Sequence, residues 1–161
     1  MSGMAAPAVQ VGSATQRRLV IVCCCAKKAD TLVPIPALDL YQEGPVPQLR
    51  ARVGHRPDLR SRIRVLSAEH GIVGADTPLL PYDRPLDMDR AVVLRPAVTR
   101  ALWREMHVNG VPEEVLVAVE PLYLVLLADL LAVPGVRIRW ITDPMADWSA
   151  TESVLKEWGW Q

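Results

Sequence analysis

The chain has 161 residues, half of them apolar, and its 18 basic residues are balanced by 18 acidic ones. That length fits one domain able to bury a substantial core, and the apolar share argues against disorder throughout. Zero net charge argues against a globally basic nucleic-acid binder while leaving room for a local patch. The longest apolar stretch, Val115 to Val133, is broken by Glu120, Pro121 and Asp129, so none reaches the roughly 20 residues that cross a bilayer.

Residues 1–16 are small and polar, with no basic region ahead of an apolar one. This predicts a flexible N-terminal tail without a secretory signal, followed by a single domain over residues 17–161. The first strand signal, Arg18 to Val22, runs into Cys23-Cys24-Cys25-Ala26-Lys27-Lys28. Three consecutive cysteines have no distant partner, so no intrachain disulfide framework is expected and a reducing cytoplasm is the natural compartment. Zinc ligands need wider spacing than this, so small buried core residues are the simpler reading, and no metal is expected. Cys25, at the strand's end, is the one candidate reactive thiol and ligand contact, with Lys27 and Lys28 placed to lower its pKa. Lys27 and Lys28 are candidates for meeting a phosphate or carboxylate, or are simply solvated.

A loop over residues 29–36 leads to a short helical turn over 37–41, closed by Gly44-Pro45, and then to a short helix over 46–53 with Arg50 and Arg52 facing outward. Six of the fifteen arginines lie between Arg50 and Arg64. They form either a solvated face or a phosphate-binding one. The second strand signal, Ile63 to Leu66, runs into Ser67-Ala68-Glu69-His70-Gly71. Glu69 and His70 are candidates for base, acid or ligand contact, with Gly71 permitting a tight turn. Residues 71–86 read as a long irregular loop. Within it Tyr82 offers an aromatic face to a ligand base and Asp83 a hydrogen-bonding carboxylate, or the pair forms only a rigid turn.

Residues 87–108 read as a helix with apolar Val92, Leu94, Val98, Ala101, Leu102 and Met106, kinked at Pro96. The third strand signal, Val115 to Val119, runs into Glu120-Pro121-Leu122-Tyr123 and a helix over 121–132 with proline in its first turn. Glu120 is the sharpest candidate carboxylate; its plainer reading is a helix N-cap. The fourth strand, Val136 to Ile141, runs into Thr142-Asp143-Pro144, where Asp143 reads as a turn residue. A helix over 150–158 ends the chain, and Trp148, Trp158 and Trp160 there serve either helix packing or a partner. This alternation predicts an α/β fold: a three-layer single domain with a mainly parallel sheet flanked by helices. In such a sheet the carboxyl ends of the strands line a crevice where ligands bind. Neither a P-loop nor a dinucleotide fingerprint is present, so no cofactor is expected.

Cys-x-x-x-Lys after the first strand, Ala37-x-x-Leu40-Tyr41, Leu66-Ser67-Ala68-x-His70-Gly71-Ile72, Pro81-Tyr82-Asp83 and Leu86 resemble a family of small bacterial and phage proteins. That family carries a cysteine and lysine after its first strand, an L-Y pair, an L-S-A-K-H-G-L segment and a P-Y-D loop. More remotely, the order Ala26-Lys27, Leu66-Ser67, Gly71, Pro81-Tyr82 is similar to the peroxide-stress protein YaaA. The likeness covers residues 19–86. The chain departs from the family pattern at Glu69, where lysine is usual, and at Glu120, where glycine commonly follows the third strand. Two strand-end carboxylates beside a lysine and a tyrosine suit glycosidic-bond chemistry. The expectation is a nucleotide- or nucleoside-processing enzyme, an N-glycosidase or glycosyl-transfer enzyme. Glu120 or Glu69 would act as nucleophile or base, with His70 as a third catalytic candidate that could instead join Lys27 in holding a phosphate. Cys25, Lys27, Ser67, Gly71, Tyr82, Asp83 and Tyr123 would be substrate contacts. The alternative, implied by similarity to the YaaA group, is a non-catalytic nucleic-acid-binding stress protein using Arg50 to Arg64. The expected partner is a small nucleotide or nucleoside, with no membrane, and a homodimer is allowed.

Overall fold

The computed structural model describes residues 18–161; the tail expected over residues 1–16 lies outside the described residues. Strand β1 (Arg18–Cys23) is buried along nearly its whole length, the continuous apolar pattern of a strand inside a parallel sheet. Strands β3 (Ile63–Ser67) and β6 (Glu114–Ala118) share that pattern and flank β1 in parallel, with Val20 opposite both Ile63 and Leu116. Strand β7 (Arg137–Trp140) pairs parallel to β6 and is more exposed, as an edge strand is. Strand β4 (Gly71–Gly74) runs antiparallel to β3, giving the order β4-β3-β1-β6-β7. The fold is therefore a mixed α/β domain around a five-stranded, mostly parallel sheet.

The connections carry the helices. Between β1 and β3 lie strand β2 (Ile35–Pro36) and helices α1 (Ala37–Leu40), α2 (Pro45–Val53) and α3 (Pro57–Arg60). Strand β5 (Pro78–Leu79) and helix α4 (Met88–Asn109) lead to β6. A 3₁₀ helix (Pro121–Leu127) with α5 (Ala128–Leu131) leads to β7, and α6 (Trp148–Glu157) follows. Helix α4 starts where its sequence says it should. The Asp87 carboxylate accepts the Arg90 N–H at 2.7 Å, satisfying one orphan donor of the first turn. Its buried face is Ala91, Leu94, Val98, Leu102 and Met106, whose spacing of three and four residues sets the phase and leaves Val92, expected on the apolar face, 60% exposed.

Three expectations need correction. Residues 71–86 are not wholly irregular: β4 pairs with β3, and β5 pairs with β2 through two residues. The signal was weak because β4 holds only Ile72 and Val73 between glycines. The expected helix over 121–132 is 3₁₀ through Leu127 and α-helical only from Ala128. Arg50 and Arg52 do not point outward. Arg50 donates to the carbonyls of Leu38 and Tyr41 at 2.8 and 3.2 Å. Arg52 donates to the Trp160 carbonyl and to Glu152, at 2.8 and 2.9 Å.

Trp158 and Trp160 belong to the core, 7% and 2% exposed, so they pack rather than present a partner-binding face. Among the described residues no helix is long and apolar enough to cross a membrane. The topology has one consequence for function. From β1 the chain crosses to β3 on one side and later to β6 on the other, so the connections leave the carboxyl ends of β1 and β6 in opposite directions. A crevice opens at such a switch point.

Candidate functional site at the carboxyl ends of β1 and β6

A cleft of about 310 Å³ lies at that switch point. Cys24, Cys25 and Lys28 line it after β1, Asp83 and Arg84 from the loop before α4, and Glu120 and Tyr123 after β6. Its base joins two strands: the Cys24 Sγ and Tyr123 OH lie 3.0 Å apart, and the Ala68 N–H reaches the same sulfur at 3.5 Å. Burial pushes the Tyr123 phenol well above its ordinary range, and the neighbouring Cys24 adds to the effect, so the phenol keeps its proton at neutral pH. Burial likewise pushes the Cys23 thiol up to about 12, against the lowering influence of the Glu120 backbone hydrogen bond. Cys23 is core.

Cys25 does not become the activated thiol expected of it. Partial burial raises its pKa, the backbone hydrogen bonds and Lys28 that favour the thiolate being weaker influences, and its thiol donates to the Lys27 carbonyl at 3.1 Å. Lys27 is exposed and absent from the lining; its N–H donates to Glu43 Oε1 at 3.2 Å. The lysine in the cleft is Lys28. Its loop is pinned by the Ala29 N–H to the Leu40 carbonyl at 2.7 Å and the Gln42 N–H to the Lys27 carbonyl at 3.0 Å, with Lys28 bridged to Tyr41. The Lys28 Nζ then donates to the carbonyls of Cys25 and Ala26 at 2.9 and 3.3 Å and sits 4.4 Å from the Tyr82 ring centroid. Ring and carbonyls together hold the ammonium in place.

Tyr82 is thereby committed to the protein. Its hydroxyl lies 2.7 Å from both Tyr41 OH and Ser67 Oγ, and Lys28 lies over its ring rather than leaving it free to stack a base. Ser67 is fully buried. Its Oγ also accepts the N–H groups of Glu69 and His70 at 3.2 and 3.0 Å, so it holds the turn after β3. Gly71 ends that turn with φ of 83°, a conformation L side chains rarely adopt. Burial, the largest influence, pushes the Tyr41 phenol up to about 12 and raises Tyr82 further.

Glu69 and His70 stand beside the cleft and are not among its lining residues. Glu69 Oε1 accepts from Arg84 at 3.0 Å, while Arg90 donates to the carbonyls of Ala68 and Glu69 at 2.8 Å each. The His70 ring meets Tyr82 edge-on at 5.3 Å. Glu120 sits at the N-cap position of the 3₁₀ helix, yet its side chain makes no capping hydrogen bond and lines the cleft. Glu120 is thus an N-cap by position, as its plainer reading has it, but without a side-chain cap bond. The Asp143 carbonyl accepts the N–H groups of Ala146 and Asp147, at 3.3 and 2.8 Å, in an ordinary turn.

The structure also adds to the cleft lining Cys24, expected only as core, and Arg84, which the sequence did not single out, and of the two candidate lysines it places Lys28 there. Among the described residues no group of three or more His, Cys, Asp or Glu is placed to hold a metal ion. The arginine cluster is occupied internally. Besides Arg50 and Arg52, Arg56 pairs with Asp58 at 2.8 Å and Arg60 with Asp76 at 2.7 Å. Arg62 donates to the Arg18 carbonyl at 3.3 Å, and Arg64 pairs with Glu105. No known family, curated protein or solved structure matches the chain.

Proposed function

We propose that the cleft is the substrate site of an enzyme that hydrolyses or transfers the N-glycosidic bond of a nucleotide or nucleoside, with Glu120 as the carboxylate at the sugar. The observation that carries this reading is the state of Glu120: a strand-end carboxylate in a switch-point cleft, without a cap bond or ion pair among the described residues. Such a group is free to attack or stabilise an oxocarbenium-like carbon. In the displacement form, a Glu120 oxygen bonds to the anomeric carbon as the carbon–nitrogen bond breaks. The departing base takes the electron pair and a proton. Water or a second base then releases the sugar and frees the carboxylate. Tyr123, kept protonated by burial, supplies a hydrogen-bond donor on the β6 side, and Asp83 a second carboxylate from the opposite loop.

In this reading Glu69 acts through Arg84, and His70 stands outside the reaction. In the same reading the helices form two layers on the sheet, with α2 against β1 and α6 against β6 in one and α4 with the 3₁₀ helix in the other, which would leave the strand ends for substrate. The nucleic-acid alternative loses its footing because its six arginines have partners within the chain. Free base released from a panel of mononucleotides and nucleosides tests the proposal. Glu120→Gln should lower turnover by about 10²-fold or more. Equal turnover in wild type and Glu120→Gln would falsify the assignment.

A further inference from the structure

We infer that Lys28 and Arg84 form a phosphate-binding subsite, which makes the preferred ligand a nucleoside monophosphate rather than a nucleoside. The inference rests on the cleft being the substrate site, not on the glycosyl reaction. Its basis is a cation without a counter-ion. Lys28 is partly buried and lines the cleft, and among the described residues no carboxylate stands within ion-pair distance of its Nζ. Its hydrogen bonds go to two carbonyls and its remaining contact is with phenol rings. Those neighbours fix the position of the ammonium and bring it no opposite charge. Arg52, Arg60 and Arg64 each meet a carboxylate, whereas Arg50 and Arg62, which like Lys28 meet only carbonyls, do not line this cleft. A partly desolvated cation facing a cleft gains most from an anion supplied by the ligand.

Arg84 supplies the second half. It comes from the loop facing Lys28 and lines the same cleft. It spends one nitrogen, Nη1, on Glu69 at 3.0 Å, leaving the rest of its planar fork for a second acceptor. Its side chain is 48% exposed, so turning costs little packing. Asp83 and Glu120 share the cleft, which divides its lining into cations for a phosphate and carboxylates for the uncharged remainder of the ligand. A dianionic phosphomonoester satisfies Lys28 and the free Arg84 nitrogens together. A neutral nucleoside satisfies neither.

Isothermal titration with inorganic phosphate, ribose 5-phosphate, a set of nucleoside monophosphates and the matching nucleosides tests the subsite without any turnover. The best monophosphate should bind at least about tenfold tighter than its own nucleoside, the ratio one charge-assisted contact provides. Lys28→Met should erase that ratio, Lys28→Arg should keep part of it, and Arg84→Gln should reduce it. Melting curves establish that each variant is folded, and Arg84→Gln leaves the pinned Lys28 loop untouched should Lys28→Met unfold. Equal affinity for monophosphate and nucleoside, no binding of any phosphorylated probe, or an unchanged ratio in folded Lys28→Met overturns the inference. An intact phosphate preference together with unchanged Glu120→Gln turnover would sink the glycosyl reaction and leave this subsite standing.

Discussion

Two Arg–Glu pairs divide the molecule. Arg64 of β3 meets Glu105 of α4 with two nitrogens, and a third donates to the carbonyls of Ser61 and Ile63 at 2.7 and 2.9 Å; the side chains are 16% and 20% exposed. Arg84 meets Glu69 through one nitrogen, with side chains 48% and 34% exposed. The residue types are the same and the roles differ. In the arginine cluster from Arg50 to Arg64 the charges have partners within the chain and join elements. At the cleft, Lys28 and Glu120 meet no opposite charge among the described residues, and Arg84 spends a single nitrogen on Glu69. The density of charge along the sequence points to the first region, and the lack of partners in space points to the second.

The largest effect should come from breaking a committed pair. Arg64→Met strips Glu105 of its partner and frees two carbonyls, and should lower stability by about 1–3 kcal/mol by urea denaturation. Phosphate preference should not change. A shift in that preference would mean that the cluster takes part in binding, and the contrast between the regions would fail. Tyr82→Phe sits at the boundary. Removing the hydroxyl leaves Tyr41 OH and Ser67 without their shared partner, at a cost of about 1–2 kcal/mol. It keeps the ring under Lys28, so the monophosphate ratio should survive.

How much of this was legible beforehand depends on the physical signal. Strands β1, β3 and β6 are recognisable because strands inside a parallel sheet read as apolar runs, the edge strand β7 by its alternation of Ile138 and Trp140 with Arg137 and Arg139, and α4 because Asp87 and the three-four spacing agree. The hairpin strand β4 and the two-residue β2–β5 pair are too short to leave a pattern. Strand order, and with it the switch point, depends on contacts between distant segments. The site was half visible. Glu120, Asp83 and Tyr123 were placed by their strand end or loop. The choice between Cys24 and Cys25, and between Lys27 and Lys28, turns on how the chain leaves β1, which identical neighbours cannot encode. Arg84 lacked any signal at all, since an arginine among prolines looks like any solvated loop residue.

A smaller effect is expected with pH. The Tyr41 phenol rises from 10.0 to about 12 and the Cys23 thiol from 9.0 to about 12, both chiefly through burial. These acids keep their protons longer in the folded protein, so above pH 9 the unfolded chain binds fewer protons than the native one. Their stabilisation is complete below about pH 9 and is lost as pH climbs towards 12. Melting temperature should therefore fall over pH 9–11, and Tyr41→Phe should flatten part of that slope. An unchanged slope in the variant would assign the alkaline loss to other groups.

The smallest change in stability, and the sharpest test of the contrast, comes from Glu69→Gln. The pair it breaks is single-bonded and largely solvent-exposed, a class of contact worth about 0–1 kcal/mol, so urea midpoints should barely move where Arg64→Met moves them clearly. Binding should move the other way. If Arg84 divides its time between Glu69 and the cleft, releasing it raises the competent fraction, and monophosphate affinity should rise by about twofold. A drop in affinity would mean that Glu69 itself meets the ligand. That result would return Glu69 to the substrate site, alongside Glu120, and make Arg84 its positioning partner instead of a phosphate ligand.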